Sequence, residues 1–161
     1  MKNKILYNFL NRCMIFNKMV YFCATFNIIK SLFMVTQITA GVKVSVRTAY
    51  QPSYSSPAQS HYVFTYEVII ENQSEFTVQL LRREWQIFDS DGQIRLVEGE
   101  GVVGQQPILE PGASHKYISG CNLKTNIGKM KGNYLMEKVV DGSIFQAQIP
   151  EFILIPNYKL N

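Results

Sequence analysis

The sequence predicts an all-β domain on three observations. Apolar residues recur at every second position in several runs, and Gly, Pro, Asn and Asp punctuate the chain at roughly 8–14-residue spacing. From Gly41 onward no stretch carries the 3.6-residue apolar repeat of a long helix. "VKVSVRTAY", residues 42–50, sets Val42, Val44 and Val46 against Lys43, Ser45 and Arg47, the period-2 pattern of a half-buried strand. "QPSYSSPAQS" breaks it with two prolines and reads as a loop. In "HYVFTYEVIIEN" the residues Tyr62, Phe64, Tyr66, Val68 and Ile70 share one face, which makes it the best strand of the chain, and Asn72, Gln73 and Ser74 turn it.

"FTVQLLRREWQIFDS" continues as one long or two broken strands, with Trp85 expected to anchor the core between two sheets. Asp91-Gly92 closes the next hairpin, because such a pair supplies the positive φ angles of a tight primed turn. A Pro-Gly turn at Pro111-Gly112 leads into a run with His115, Tyr117 and Ser119 opposite Lys116 and Ile118. "GNYLMEKVV", Asp141-Gly142 and "SIFQAQIPEFIL" form a final hairpin, extended past Pro150 into a last short strand. About eight short strands with such connections predict a β-sandwich of two antiparallel sheets, of the immunoglobulin or fibronectin type III kind.

A chain of 161 residues fits one domain with a core of its own. The net charge of +4 is unevenly placed: residues 1–33 hold Lys2, Lys4, Arg12, Lys18 and Lys30 and no acid, whereas residues 34–161 hold 11 Lys and Arg against 12 Asp and Glu. The segment 34–161 therefore lacks the cationic excess that nucleic-acid binding requires. Residues 1–33, without Gly or Pro, admit three readings: a targeting segment, a basic membrane-surface helix, or sequence upstream of a true start at Met34. The last is favoured, since the longest uncharged run, Met19 to Ile29, is too short to span a bilayer and no small-x-small cleavage site follows it. The expected organisation is an extension over 1–33 and one domain over 34–161.

Gly99-x-Gly101-x-x-Gly104 has the spacing of a dinucleotide fingerprint, which works only where a strand feeds a helix. "QQPILEPGASHKYISG" follows, and its prolines and glycines exclude a long helix. Without a helix the loop could still cradle an anion on successive amides, although Glu100 opposes one. The competing reading is purely structural, glycine serving a bulge or corner.

Arg83 shares the face of Trp85 by alternation, with Arg82 and Glu84 on the other face. His61 and His115 are far apart, and no HxH or HxxxH pair exists, so no transition-metal site is expected. Asp89, Asp91, Glu98 and Glu100 read as solvated turn residues. Cys13, Cys23 and Cys121 form no CxxC pair, and Cys121, in "SGCNL", is expected as a small, partly buried residue in a turn. No GxSxG or HExxH occurs, and catalysis is not expected.

Five stretches, "YVFTYEVIIEN", "TVQLLRREWQIFDSDG", "VEGEGVVGQQPILEPG", "YISGCNLKTNIGKMKGNY" and "QIPEFIL", resemble the bacterial ApaG family in order and spacing. The resemblance covers nearly all of residues 34–155 and none of 1–33. It implies a fibronectin type III-like sandwich and an association with cobalt tolerance and magnesium efflux, and it brings no established catalytic activity. Similar domains in eukaryotes look like protein-binding modules.

The expectation is thus a non-catalytic binding module for a protein partner. Its loop residues are Gly99, Glu100, Gly101 and Gly104, supported by Arg83, Arg95 and Trp85. The alternative is a sensor of phosphate, pyrophosphate or nucleotide, in which the same loop is joined by Arg83 or Arg95 as countercharge. No cofactor, no metal, no nucleic acid and no membrane contact is expected for the folded domain, and a reducing cytoplasm suits its unpaired cysteines.

Overall fold

The computed structural model describes residues 34–159, and the expectations for residues 1–33 lie outside them. Nine strands follow one another: β1 Val35–Thr39, β2 Val42–Tyr50, β3 Tyr62–Asn72, β4 Val78–Asp89, β5 Ile94–Glu100, β6 Ile108–Leu109, β7 Ser114–Leu123, β8 Gly128–Lys138 and β9 Ile144–Leu154. They form two antiparallel sheets. One has the order β1-β2-β3-β7 and the other β5-β4-β8-β9, with β6 beside β4. The described residues hold no α-helix and no helix long and apolar enough to cross a membrane. The architecture is the two-sheet sandwich that the alternation predicts.

Alternation works because each central strand has one buried face. Val42, Val44 and Val46 of β2 and Phe64, Val68 and Ile70 of β3 are fully buried. Each such side chain contributes roughly 1.5–3 kcal/mol relative to exposure. Between the sheets Trp85 packs edge-on against Tyr66 at 5.4 Å and Phe152 at 5.9 Å between ring centroids. Tyr117 and Tyr134 meet through their hydroxyls at 2.5 Å in the buried interior.

Asn72, read as a turn residue, ends β3 fully buried and acts as a cap for two loops. Its Nδ2 donates to the carbonyls of Phe76 (2.8 Å) and Leu109 (2.9 Å). Its Oδ1 accepts from the amide and hydroxyl of Ser74 at 3.0 and 2.7 Å.

Several local expectations change. β1 precedes the predicted strands; it is an edge strand with no fully buried residue, so its sequence carries no apolar alternation. It joins β2 through Ala40 (φ 49°) and Gly41 (φ 79°), a two-residue primed turn that no Asp-Gly pair announces. At Asp91-Gly92 only Gly92 has positive φ, 89°. There the Gly92 amide donates to the Asp89 carbonyl and the Asp89 amide to the Gln93 carbonyl, giving a three-residue loop. Cys121 lies on β7 facing the core rather than in a turn.

β4 is one strand, irregular between Leu80 and Arg82. β9 runs unbroken through Pro150, because Lys131 of β8 faces both Pro150 and Glu151 at a bulge on this outer strand, where a missing N–H costs little. On the β9 side the two sheets are stitched together. The Gln148 amide donates to Thr39 Oγ1 (3.2 Å), Gln37 Nε2 to Gln148 Oε1 (3.3 Å) and Thr48 Oγ1 to the Ile153 carbonyl (3.3 Å).

Candidate functional site

The glycine loop lies where the chain leaves the edge of β4 and returns to it. β5 pairs with β4 from Phe88 to Arg82, and β6 resumes on the same edge at Gln79 and Val78. Leu81, at the irregularity, offers its carbonyl to the Gly101 amide and to Gln106 Nε2, both at 2.8 Å. Val102 is fully buried and exchanges both backbone hydrogen bonds with Gln105, at 2.7 and 3.0 Å. Val103 (φ 49°) and Gly104 (φ 75°) therefore close a primed two-residue turn, with the β-branched Val103 exposed in a conformation that costs it energy.

Each glycine answers a separate demand. Gly101 has φ 55°, and a Cβ there would sit 2.0 Å from the Gln105 carbonyl oxygen. Gly104 needs only its φ, since its surroundings are open. Gly99 is flat enough for the Arg83 guanidinium to lie 3.0 Å from where a Cβ would be.

Arg83 is half-buried on the Trp85 face, as alternation back from Trp85 requires. Its Nη1 donates to the carbonyls of Gly101 (2.7 Å) and Glu100 (3.0 Å). The loop thus turns carbonyl oxygens toward the arginine, while the amides of Gly101, Val102 and Gln105 are donated to backbone carbonyls. Beyond Gly104 the chain passes into β6, so no helix dipole reinforces the loop. The Glu100 side chain lies opposite Arg82 on the outer face, where Arg82 reaches Glu98 at 3.5 Å. Trp85 is buried, and its indole N–H has no acceptor among the described residues.

Arg95 is not beside the loop. It faces Ile87, whereas Gly99 faces Arg83, and four residues of strand separate the two by about 13 Å. Its pairing with the loop as a countercharge is corrected accordingly. Its Nη2 instead bonds the Asn122 carbonyl and lies 3.7 Å from Cys121 Sγ. With Asp89, Gln93, Asn122 and Lys124 it lines a small pocket at the other end of β5. Burial pushes the Cys121 thiol pKa up, against the pull of Arg95. Asp89 is occupied by the Lys124 amide (2.7 Å) and the Thr125 hydroxyl. His61, beside the start of β3, and His115, opposite Ile70 near its end, do not converge.

Reasoning from sequence passed over β5 itself. Every residue of "IRLVEGE" except Gly99 is exposed, with Ile94 61%, Leu96 69% and Val97 40% accessible. Its outer edge pairs with no strand among the described residues. The signal was present: a strand bounded by a Gly turn and a Gly corner with apolar residues on both faces cannot bury all of them.

Fold and loop define a β-sandwich domain with a glycine corner clamped by one arginine. The match to known proteins specifies it further: residues 52–138 fit the ApaG domain model, and the chain belongs to the ApaG family. It is 47% identical over 121 residues to Protein ApaG of Brucella suis biovar 1, covering 75% of this chain and 92% of that one. Against Protein ApaG of Pseudomonas aeruginosa it is 50% identical over 113 residues, covering 70% and 89%. The crystal structure of an ApaA protein from Bordetella pertussis superposes with a TM-score of 0.70 at 40% identity, covering 78% of this chain and 98% of that one.

Proposed function

We propose that this domain is a non-catalytic binding module that engages a protein partner through the β5 edge and the adjoining loop 97–106. The observation that carries the reading is β5, a seven-residue outer strand with Ile94 and Leu96 more than half exposed and no neighbour on one side among the described residues. Sandwich proteins ordinarily cover such an edge, and extended segments add to open ones through main-chain hydrogen bonds. The exposed Val103 adds an apolar contact at the tip of the loop.

Arg83 and the amides of Gly101, Val102 and Gln105 are already engaged with backbone carbonyls, which weighs against the phosphate-sensing alternative. The buried Cys121 thiol, held protonated, is a poor nucleophile and suits a reducing compartment.

The test is photo-crosslinking in cells with benzoylphenylalanine in place of Leu96, and separately in place of Ile153, which is comparably exposed on β9. Discrete adducts from position 96 and none from 153 are expected. Equal labelling from both, or none from 96, refutes the reading.

A further inference from the structure

The pocket at the start of β5 contains more positive charge than the described residues neutralise. Arg95 and Lys124 both line it, and neither has an acidic partner within ion-pair distance among the described residues. Among the described residues Lys124 Nζ donates only to Gln93 Oε1, at 3.2 Å. Asp89 is the one acid on the wall, so two cations face one anion whose oxygens are already bonded to the Lys124 amide and the Thr125 hydroxyl. One further carboxylate would balance the pocket.

Its position gives that carboxylate a source. The pocket lies between the two sheets where β5 and β7 form outer strands on the same side, with Arg95 and Gln93 from the β5 end and Asn122 and Lys124 from the β7 end. Farther along β5 the charge reverses at Glu98 and Glu100. Between them Val97 faces inward opposite Trp85 yet is 40% exposed, because no described residue covers the gap beside it. An antiparallel strand, the more stable pairing, added to β5 would run from Glu100 toward Ile94. Its final residue would arrive at Arg95, and one side chain would fall beside Val97.

From this we infer that the occupant of the β5 edge is the free C-terminal end of a protein partner, paired antiparallel with β5, its terminal carboxylate held between Arg95 and Lys124. This rests on the binding-module reading and adds the chemistry that the edge selects. Backbone pairing supplies affinity without sequence demands. Charge-assisted hydrogen bonds from the guanidinium and ammonium groups supply the preference for a chain end. Glu98 and Glu100 favour basic residues upstream in the bound segment.

The experiment uses the full chain and a library of random heptapeptides, the length of β5, made once with free C-termini and once as C-terminal amides. Selected free-acid peptides are expected to bind with amide shifts confined to β5 and residues 122–124, and amidation to weaken them at least tenfold. Arg95→Gln and Lys124→Gln should each weaken the free acid severalfold while leaving the amide unchanged, and Lys131→Gln, a lysine outside the pocket, should do nothing. Unchanged Trp85 emission verifies the fold of each variant.

Binding indifferent to amidation overturns the inference and leaves the module reading intact. So does an absence of peptide binding alongside a partner crosslinked at position 96. If neither peptides nor crosslinks appear, both fall together. A concentration-dependent dimer broken by Leu96→Lys would assign the edge to a second copy of the chain and overturn the inference as well.

Discussion

Arg83 Nη1 donates to the Gly101 carbonyl oxygen at 2.7 Å, and the same nitrogen reaches the Glu100 carbonyl at 3.0 Å. One side chain from β4 therefore fixes the end of β5 and the glycine corner together. Replacing it with methionine keeps much of the packing and removes the donors. The expected cost of Arg83→Met is about 1–3 kcal/mol, measured by urea unfolding, with amide exchange in residues 101–105 accelerated more than in β3.

The glycines of the corner separate in the same assay. Gly104→Ala meets no neighbour and bears only its positive φ, so it should cost about 1 kcal/mol. Gly101→Ala adds a collision with the Gln105 carbonyl and should cost roughly 3 kcal/mol or more, because the corner must open. Equal costs would mean that the corner relaxes freely.

The hydroxyls of Tyr117 and Tyr134, 2.5 Å apart, satisfy each other in the interior. Burial, above all, pushes both phenol pKa values up, so the pair stays neutral well into the alkaline range. Tyr117→Phe or Tyr134→Phe alone strands one hydroxyl, at about 1–3 kcal/mol. The double variant should cost clearly less than the sum, and a double-mutant cycle by chemical denaturation measures the difference.

Glu67 supports a charge cluster on the outer face of the first sheet, 2.7 Å from Arg47 and 2.8 Å from Lys116. Desolvation pushes its carboxyl up, but the Lys116 hydrogen bond and the charges of Arg47 and Lys116 outweigh it, and the net shift is below the ordinary value of 4.5. A carboxylate depressed in the folded state stabilises fully above its unfolded pKa, and the gain is lost as pH falls through the folded one. Below about pH 5 the urea midpoint of the natural chain should therefore fall more steeply than that of Glu67→Gln.

The central strands were legible because burial of one face writes period 2 into the sequence, as Val42, Val44 and Val46 show. β1 and β5 were not, since outer strands exposed on both faces owe nothing to that rule. The inward face of Arg83 followed only from counting back from Trp85. Counting forward from the buried Leu80 gives the opposite answer, because the irregularity at Leu81 shifts the parity by one residue. Asn72 was recognisable as a turn former, but its bond to Leu109, 37 residues away, is a tertiary fact that no local pattern encodes. The separation of Arg95 from the glycine corner likewise required the register of β5 against β4.

The stitched flank, where Thr39 and Gln148 join the sheets and Pro150 removes one N–H from the outer edge of the last strand, leaves the described sheets able to lengthen in one direction only. Fibre growth by strand stacking needs two receptive flanks, one to accept and one to be accepted. Chains that met through their receptive flanks would form a closed pair and stop there, so concentrated solutions should stay clear where a two-flanked sandwich would gel.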